Sequence, residues 1–374
     1  MGNRIFLSSP HMSDEGFELE YIHDAFNKNW IAPLGENVNK FEKAMGAYIG
    51  KQHLVAVSAG TAALHLSVLL AGIKPGDKVF CQGLTFSASA NPVTYVGAEP
   101  VFIDSDYETW NMDPAALERA FEIYGKPAAV VVVHLFGNPA RMDEIVAICK
   151  KHNVPLIEDA AEALGSEYHG FKCGSFGKFG ILSFNGNKII TTSGGGMLLC
   201  EEKDDAKHAL KLATQARECY PWYQHEEVGY NYRMSNIVAG IGRGQMKVLT
   251  LRLEQKRAIY ERYKRNLADL PLSFQPELEG CQSNHWLTAI LLNRACGVTV
   301  AQLLDALNQE NMEGRYLWKP LHTQPVFAKN GYVKVGAESV SDDLFERGLC
   351  LPSDTKMTME DVDRVCGVIR KVFA

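Results

Sequence analysis

One lysine stands between an apolar, strand-like run and a glycine-rich stretch in residues 182–196, LSFNGNKIITTSGGG. Burying an unpaired lysine is energetically costly, so a surface turn is the ordinary interpretation of Lys188. Two chemical interpretations are also open. The ammonium group could hold a phosphate, or the amine could form a Schiff base with a carbonyl compound. Other parts of the sequence distinguish between these interpretations.

Residues 58–64, SAGTAAL, have the sequence of a strand that passes directly into a helix. The first N–H groups of a helix have no internal partners, and Gly60 leaves the backbone open to an anion. Thr61 adds a hydroxyl group at the same point, and Ser183 ends another apolar strand shortly before Lys188. These residues predict a phosphate site, although an ordinary capped turn has the same sequence features.

An aromatic residue and a carboxylate follow two other strands. Phe86 comes just after a strand in GLTFSASAN (83–91), where its ring can stack on a flat ligand. Asp159 closes the apolar strand of LIEDAAEALGS (156–166), and alternation along this strand turns Glu158 to the other face. A buried carboxylate favours a cationic partner. A core phenylalanine and a helix-capping aspartate are the structural alternatives.

The phosphate site, the aromatic ring, the carboxylate and the lysine occur in this order at successive strand ends. Pyridoxal phosphate requires this combination, because its phosphate needs N–H donors and its ring needs an aromatic face. Its pyridine nitrogen needs an acid, and its aldehyde needs an amine. The combination therefore predicts a pyridoxal-phosphate site in which Lys188 forms the Schiff base.

Two glycine patterns and one histidine give weaker signals. GSFGKFG (174–180) does not follow a strand, and GIGRG (240–244) lies within a helical pattern, so neither predicts a nicotinamide site. His134 ends a strand and either lines the ligand crevice or is a buried histidine with satisfied hydrogen bonds.

Strand-like runs alternate with helical patterns through the first two thirds of the chain, which predicts an α/β fold with a mainly parallel sheet covered on both faces. Ligands of such sheets bind at the carboxyl ends of the strands. Residues 234–270 read as one long helix, and we expect a large domain over 1–249 and a smaller α+β domain over 250–374. The seven strand-like runs are residues 53–59, 78–83, 100–105, 129–136, 155–161, 180–185 and 196–202.

The chain has 374 residues and a formal net charge of −6, which gives no broad basic surface for nucleic acid. The longest aliphatic run, residues 128–136, is too short to span a membrane, and the first residues have no apolar segment of signal-peptide length. Nine cysteines without a CxxC pair are typical of reduced thiols. We therefore expect a cytoplasmic protein without nucleic-acid or membrane partners.

Eight segments between about residue 5 and the C-terminus carry a more specific signal. In order along the chain they resemble motifs of the DegT/DnrJ/EryC1/StrS family of sugar aminotransferases. This resemblance implies a fold-type I pyridoxal-phosphate enzyme, with an N-terminal arm, a seven-stranded large domain and a smaller C-terminal domain. The segments are WIAPLGENVNKFE (30–42), SAGTAALHL (58–66), TFSASANPVTYVGAEPVFID (85–104), HLFGNPARMD (134–143), IEDAAEALGS (157–166), SFNGNKIITTSGGGM (183–197), GYNYRMSNI (229–237) and LWKPLHTQPVF (317–327).

The resemblance also implies roles for individual residues. Lys188 matches the Schiff-base lysine, Asp159 the partner of the pyridine nitrogen, and Phe86 the aromatic residue that stacks on the ring. Glu162 stands where the family often has glutamine or histidine near the phenolic oxygen of the cofactor. The matching phosphate contacts are Gly60, Thr61, Ser183 and Asn231, the last reaching the phosphate from the neighbouring subunit of a homodimer. The matching nucleotide-sugar contacts are Trp30, Ala32, Pro33, Arg315, Tyr316, Trp318 and His322.

Within the family, RECYPWYQHEEVGYNYRMSN and RYLWKPLHTQPVF are most similar to enzymes of the UDP-N-acetylbacillosamine pathway. The resemblance implies amination of UDP-2-acetamido-2,6-dideoxy-4-hexulose at C4, with L-glutamate as amino donor. A GDP- or dTDP-linked keto-sugar is an alternative acceptor. A related pyridoxal-phosphate-dependent sugar dehydratase is disfavoured, because those enzymes replace the lysine with histidine. A regulatory binder of pyridoxal phosphate would not need the sugar-nucleotide contacts.

Overall fold

The computed structural model describes residues 3–374 and contains one large sheet, two smaller sheets and helices packed around them. The helices are α1 Phe17–Asn27, α2 Glu36–Ile49, α3 Gly60–Leu70, α4 Asn91–Tyr95, α5 Pro114–Tyr124, α6 Met142–Lys151, α7 Lys203–Ala213, α8 Asn236–Asn266, α9 Val300–Gln309, α10 Val340–Arg347 and α11 Met359–Phe373. The strands are β1 His53–Val57, β2 Lys78–Gln82, β3 Glu99–Ile103, β4 Ala129–Val133, β5 Leu156–Asp159, β6 Glu167–Tyr168, β7 Phe171–Lys172, β8 Phe179–Ser183, β9 Gly196–Cys200, β10 Leu272–Phe274, β11 Cys281–Gln282, β12 Thr288–Leu292, β13 Arg315–Tyr316, β14 Tyr332–Val333 and β15 Gly348–Leu351.

The large sheet has the strand order β1-β9-β8-β5-β4-β2-β3-β14. Neighbours from β8 to β14 are parallel, whereas β9 is antiparallel to both β1 and β8. All seven predicted strands lie in this sheet. The eighth strand, β14, comes from the C-terminal third of the chain and pairs with β3 at Tyr332–Phe102 and Val333–Ile103. It has two residues, too few to show an alternation in the sequence.

Residues 86–97, FSASANPVTYVG, have a helix-like sequence pattern, but the helix that forms here is shorter than this pattern. A single 3₁₀ turn covers Ser87–Ser89, and α4 begins only at Asn91. Pro92 explains this start, because proline has no N–H group and is tolerated in the first turn of a helix but not in its interior. Phe86 is thereby left in an extended conformation just after β2.

The long predicted helix is α8, whose N-terminus is capped by Ser235. A Cβ atom at Gly242 would lie 2.6 Å from the Phe41 ring, and one at Gly244 would lie 2.5 Å from the Glu18 nitrogen. The GIGRG pattern is therefore a close helix-packing surface against α1 and α2. No helix of the described residues 3–374 is long and apolar enough to cross a membrane.

The C-terminal part forms an antiparallel sheet of order β10-β12-β15-β13, with α9 and α11 packed beside it. Its core includes Leu303, Leu307, Val362, Val365 and Ile369, all buried. The predicted boundary at residue 250 falls inside α8, which contacts α1, α2 and α11. The division into two domains remains a prediction.

Candidate active site

A cavity of about 440 Å³ lies at the carboxyl ends of β5 and β8, next to the N-terminus of α3. Parallel strands bring residues that are distant in the sequence to this one edge. The cavity contains most of the residues that the sequence predicted for the cofactor. Its lining includes Gly60, Thr61, Phe86, Asp159, Glu162, Ser183, Lys188, Arg315 and Trp318.

Lys188 lies mostly buried in this cavity, with 14% of its side chain exposed. Its Nζ atom is 3.7 Å from Oε1 of Glu162 and 3.9 Å from the centre of the Trp286 ring. Burial lowers the pKa of the Lys188 amine, and the carboxylates of Glu162 and Asp159 act in the opposite direction. A lysine with a lowered pKa has more neutral amine near neutral pH, which is the form that attacks a carbonyl group.

Asp159 ends β5 and is held in one orientation by two donors. The Ser89 hydroxyl donates a hydrogen bond of 2.7 Å to Oδ2, and the Ala161 N–H donates one of 3.1 Å to Oδ1. Burial raises the pKa of this carboxyl group, while these two hydrogen bonds and Lys188 act against burial. Asp159 can therefore accept a further proton donor that enters the cavity, such as a protonated ring nitrogen.

Glu162 is fixed by a backbone group in an unusual conformation. The Phe136 N–H donates a hydrogen bond of 2.7 Å to Oε2 of Glu162, and Phe136 itself is left-handed, with φ 56°. Such a conformation is strained for a bulky residue and is often found at functional sites. Burial raises the pKa of Glu162, and Lys188 opposes this effect. The Trp318 indole nitrogen nearby is buried without a hydrogen-bond partner in the described residues.

The N-terminus of α3 fits a phosphate group. The backbone N–H groups of Gly60 and Thr61 have no acceptor among residues 3–374, and no side chain caps this helix. A Cβ atom on Gly60 would lie 3.1 Å from Cβ of Ser183, so the start of α3 and the end of β8 are in close contact here. Free N–H groups, two hydroxyls and a glycine form an anion site at the end of an eleven-residue helix.

Phe86 is 51% exposed, and its ring centre lies 5.1 Å from that of Trp318. An exposed phenylalanine at a cavity wall leaves one ring face available to a flat ligand. The fit to pyridoxal phosphate thus rests on four groups of this structure: the free N–H groups, the Phe86 ring, the Asp159 carboxylate and the Lys188 amine.

Several predicted residues lie away from this cavity. Asn231 is exposed, in a bridge with Thr214, and does not line the cavity of its own chain. Trp30, Ala32 and Pro33 precede α2, where the Ala32 carbonyl accepts a hydrogen bond from the Asn236 N–H. Tyr316 and His322 also lie outside the cavity lining. His322 stacks on Tyr332 with a separation of 3.6 Å between ring centres, and its Nε2 atom lies 3.3 Å from Oδ2 of Asp342.

His134 and Glu158 form a buried network on the other face of β5. The Glu158 carboxylate accepts hydrogen bonds from His134 at 2.8 Å and from the N–H groups of Gly174, Phe176 and Gly177. The Ala140 N–H donates to the other ring nitrogen of His134. Cys173 lies beside this pair, but its thiol pKa is raised by burial. His134 is thus a satisfied core histidine, and Glu158 faces away from the cavity as its parity predicted.

Trp286, Ser89 and Phe136 are site residues that sequence reasoning missed. Trp286 precedes β12, in SNHWLT, far along the chain from the other site residues. The polar residues Ser283, Asn284 and His285, just before an apolar strand, are the sequence feature that could have identified Trp286 as a site residue.

The family sequence model of the DegT/DnrJ/EryC1/StrS aminotransferases matches residues 12–370. The chain belongs to this family. Its members are pyridoxal-phosphate-dependent sugar aminotransferases, and the large sheet, the buried lysine and the aspartate at the strand edge agree with that activity. The aminotransferase is therefore an enzyme that uses pyridoxal 5′-phosphate and acts on a sugar.

Two curated relatives and one solved structure illustrate the similarity. EpsN of Bacillus subtilis (strain 168), assigned by its name to the pyridoxal phosphate-dependent aminotransferases, is 50% identical over 379 residues, covering 100% of this chain and 97% of EpsN. GDP-perosamine synthase of Escherichia coli O157:H7 is 36% identical, covering 96% of each chain. A crystal structure of a DegT/DnrJ/EryC1/StrS aminotransferase from Brucella abortus has a TM-score of 0.87 at 30% identity, covering 96% of this chain and 95% of the other.

Proposed function

We propose that this aminotransferase transfers the amino group of L-glutamate to C4 of UDP-2-acetamido-2,6-dideoxy-4-hexulose. The product would be the UDP-linked 4-amino-4,6-dideoxy-N-acetylglucosamine. One observation supports the transfer chemistry. A buried lysine lies 3.7 Å from one carboxylate and shares its cavity with a second, at the strand edge where the sequence predicts the cofactor. The choice of a UDP sugar rests on the family motifs in residues 217–236 and 315–327.

Three sets of residues would hold the cofactor together with Lys188. Gly60 and Thr61 would bind the phosphate through their N–H groups, with Ser183 adding a hydroxyl. Asp159, oriented by Ser89 and Ala161, would keep a proton on the pyridine nitrogen. Phe86 would cover one ring face. Pyridoxal phosphate supplies an electron sink that carries the amino group between the two half-reactions.

Lys188 would move the protons. Burial lowers the pKa of its amine, so Nζ could remove the proton from the α-carbon of the amino donor and pass it to the cofactor. In the second half-reaction Nζ would carry a proton in the other direction, from the cofactor to C4 of the sugar. Glu162, fixed by the Phe136 N–H, would keep the amine within the cavity while it carries a proton. Only 14% of the Lys188 side chain and 4% of the Glu162 side chain are exposed, which limits their contact with bulk water.

Arg315 and Trp318 would bind the sugar nucleotide, because both line the cavity beside Phe86. The Arg315 guanidinium is 62% exposed and paired with Glu313 at 2.8 Å, and it can form charge-assisted hydrogen bonds with a diphosphate. The exposed residues Trp30 and Asn231 lie outside the cavity of their own chain. We propose that the enzyme is a homodimer in which such residues complete the partner's site.

A GDP-linked 4-keto-sugar is the second candidate acceptor. The observation in its favour is the 36% identity with GDP-perosamine synthase, which covers nearly the whole chain. The dTDP-linked sugars are a further alternative. The lysine at position 188 argues against the related dehydratases, in which histidine replaces this lysine.

The test is to offer UDP-, GDP- and dTDP-linked 4-keto-6-deoxy sugars to the enzyme together with L-glutamate, and to identify the products by NMR. We expect amination at C4 of the UDP-linked N-acetylhexosamine derivative, with a kcat/KM at least tenfold above those for the other two nucleotides. A preference for the GDP sugar, or an amino group at C3, would contradict the proposed substrate but not the aminotransferase activity. Absence of amination with every acceptor, by enzyme that carries the cofactor, would contradict both.

A further inference from the structure

The face of the Trp286 ring lies against the Lys188 amine. Its centre lies 3.9 Å from Nζ, and the tryptophan is 1% exposed. An ammonium group over the face of an indole ring is attracted by the ring quadrupole, and the attraction is strongest where water is excluded. The contact joins the C-terminal part of the chain, where Trp286 precedes β12, to the loop after β8 that carries Lys188.

Several hydrogen bonds hold the indole ring in this position. Its Nε1–H donates to the Asn187 carbonyl at 2.6 Å, and the Ser8 hydroxyl donates to the same carbonyl at 2.9 Å. The backbone N–H of Trp286 donates to Oδ1 of Asn284 at 2.8 Å. The same interactions therefore fix the ring and the residue that directly precedes Lys188.

A second buried lysine holds the backbone of Trp286. Lys256, on α8, donates hydrogen bonds from Nζ to the Trp286 carbonyl at 2.8 Å and to the Ser353 carbonyl at 2.5 Å. It also contacts the Ser8 hydroxyl at 3.3 Å. Ser8, Asn187, Trp286 and Lys256 thus form a closed ring of contacts from four parts of the chain.

The charged groups around the Lys188 amine act on it differently from the indole ring, which is uncharged and contacts the amine through its face. Glu162 and Asp159 stabilise the ammonium form from the β5 side. Arg315, on β13, lines the same cavity and carries a positive charge, which disfavours the ammonium form of Lys188. Among residues 3–374, Trp286 supplies the only aromatic ring face with a recorded contact to the amine.

We propose that Trp286 is a positioning residue for the reactive lysine, and that its ring face holds the protonated amine of Lys188 inside the cavity beside Glu162. In each half-reaction Lys188 must leave the carbonyl carbon and wait nearby as a free amine. A ring face that attracts the ammonium but accepts no hydrogen bond keeps the amine close without fixing its direction. This inference rests on the assignment of Lys188 as the reactive lysine in the proposed function.

The first test uses full-length protein freed of its cofactor and measures how fast it captures pyridoxal 5′-phosphate between pH 6 and 10, by absorbance. Only the neutral amine attacks the aldehyde. Trp286→Leu removes the cation–π contact that favours the ammonium, so the midpoint of the pH profile is expected to move to lower pH. Below that midpoint, the fraction of neutral amine should rise roughly tenfold. The matched control is Trp110→Phe, because Trp110 is also 1% exposed but has no recorded contact with Lys188.

A second test keeps the shape of the site and covers the case in which Trp286→Leu does not fold. Wild-type protein is produced with 5-fluorotryptophan, which weakens the negative potential of the ring face and leaves the N–H group in place. The pH midpoint should again move to lower pH. The same replacement in a Trp286→Phe background should leave the midpoint of that variant unchanged.

The proposal is overturned if folded Trp286→Leu or the fluorinated protein has the same pH midpoint as the wild type. It is also overturned if Trp110→Phe shifts the midpoint as far as Trp286→Leu does. Capture of pyridoxal phosphate that persists in Lys188→Ala would overturn the assignment of Lys188 itself, and with it this role of Trp286. That result can be told apart from a wrong sugar substrate, because no sugar is present in the assay.

Discussion

At the scale of single residues, the sequence predicted the side chains that pyridoxal phosphate requires in its binding site. Lys188, Asp159 and Phe86 could be recognised because each lies at or after the end of a strand, and these strands are parallel and end at one edge of the sheet. Trp286 could not be recognised in this way. Trp286 lies just before β12, which belongs to a different sheet from the strands that carry the other site residues. The pattern of apolar residues along a strand does not indicate which side chains from two separate sheets will be in contact.

The first prediction concerns Lys188. Lys188→Ala should lose the visible absorption of lysine-bound cofactor, and turnover should fall by roughly 10⁴-fold, which corresponds to about 5.5 kcal/mol of barrier. Absorption spectra and single-turnover rates measure the two effects. Lys178→Ala is the control, since Lys178 directly precedes β8 and pairs with Asp205 outside the cavity. If borohydride reduction of the wild type followed by peptide mapping placed the pyridoxyl group on Lys178, the assignment of Lys188 would be wrong.

At the scale of elements, the long segments were predictable and the short ones were not. Seven of the eight strands of the large sheet and helices such as α5, α8 and α11 carry clear apolar patterns. The two-residue strands β6, β7, β11, β13 and β14 are defined by their partners, so nothing in their own sequence identifies them. The turn after β4 is a similar case, because the left-handed conformation of Phe136 is imposed by its contacts.

The turn after β4 gives the second prediction. Gly137 has φ 95°, and a Cβ atom there would lie 1.8 Å from Oδ1 of Asn284. This oxygen accepts a hydrogen bond from the backbone N–H of Trp286. Gly137→Ala should therefore destabilise the protein by about 1–3 kcal/mol more than Gly72→Ala. Gly72 is the matched control, with φ 72° and open space around its Cβ position. Urea unfolding measures the difference, and equal losses for the two variants would refute the steric contribution.

The third prediction concerns α8 and its buried lysine. Burial lowers the pKa of Lys256 to about 7, whereas a lysine in an unfolded chain titrates near 10.4. Between these values the unfolded state binds one more proton than the folded state. The unfolding free energy of the wild type should therefore rise with pH, by about 1.4 kcal/mol per pH unit relative to Lys256→Met.

Urea titrations of the wild type and Lys256→Met at pH 6, 8 and 9, at one fixed protein concentration, measure this difference. Lys264→Met serves as the control because Lys264 lies on the exposed side of the same helix. Parallel pH profiles for the wild type and Lys256→Met would show that Lys256 keeps its ordinary pKa.

At the scale of the whole molecule, the sequence predicted an α/β enzyme and its family, while the assembly remains a prediction. Large apolar side chains stay exposed in the segment before α8, where Trp222 is 60%, Tyr223 77% and Val228 82% exposed. Exposed aromatic clusters of this kind are typical of interaction surfaces. The segment leads directly to Asn231, which the family resemblance assigns to the partner's phosphate site.

The fourth prediction tests the shared site. Lys188→Ala and Asn231→Ala should each be inactive or strongly impaired alone. If Asn231 acts across the interface, a mixed dimer has both substitutions in one site and none in the other. Refolding equal amounts together should then restore up to about a quarter of wild-type activity, since half of the dimers are mixed and each has one intact site. Activity that does not rise above the mean of the two separate variants would contradict the shared site.

The position of β14 has a consequence for synthesis of the chain. This strand covers the outer edge of β3, yet its residues, Tyr332–Val333, are translated more than two hundred positions after β3. Until they emerge from the ribosome, the N–H and C=O groups along that edge have no strand to pair with, and an open edge invites pairing with other chains. The last ninth of the chain therefore completes the sheet that the first two thirds began, and chains that terminate early would expose a strand prone to aggregation.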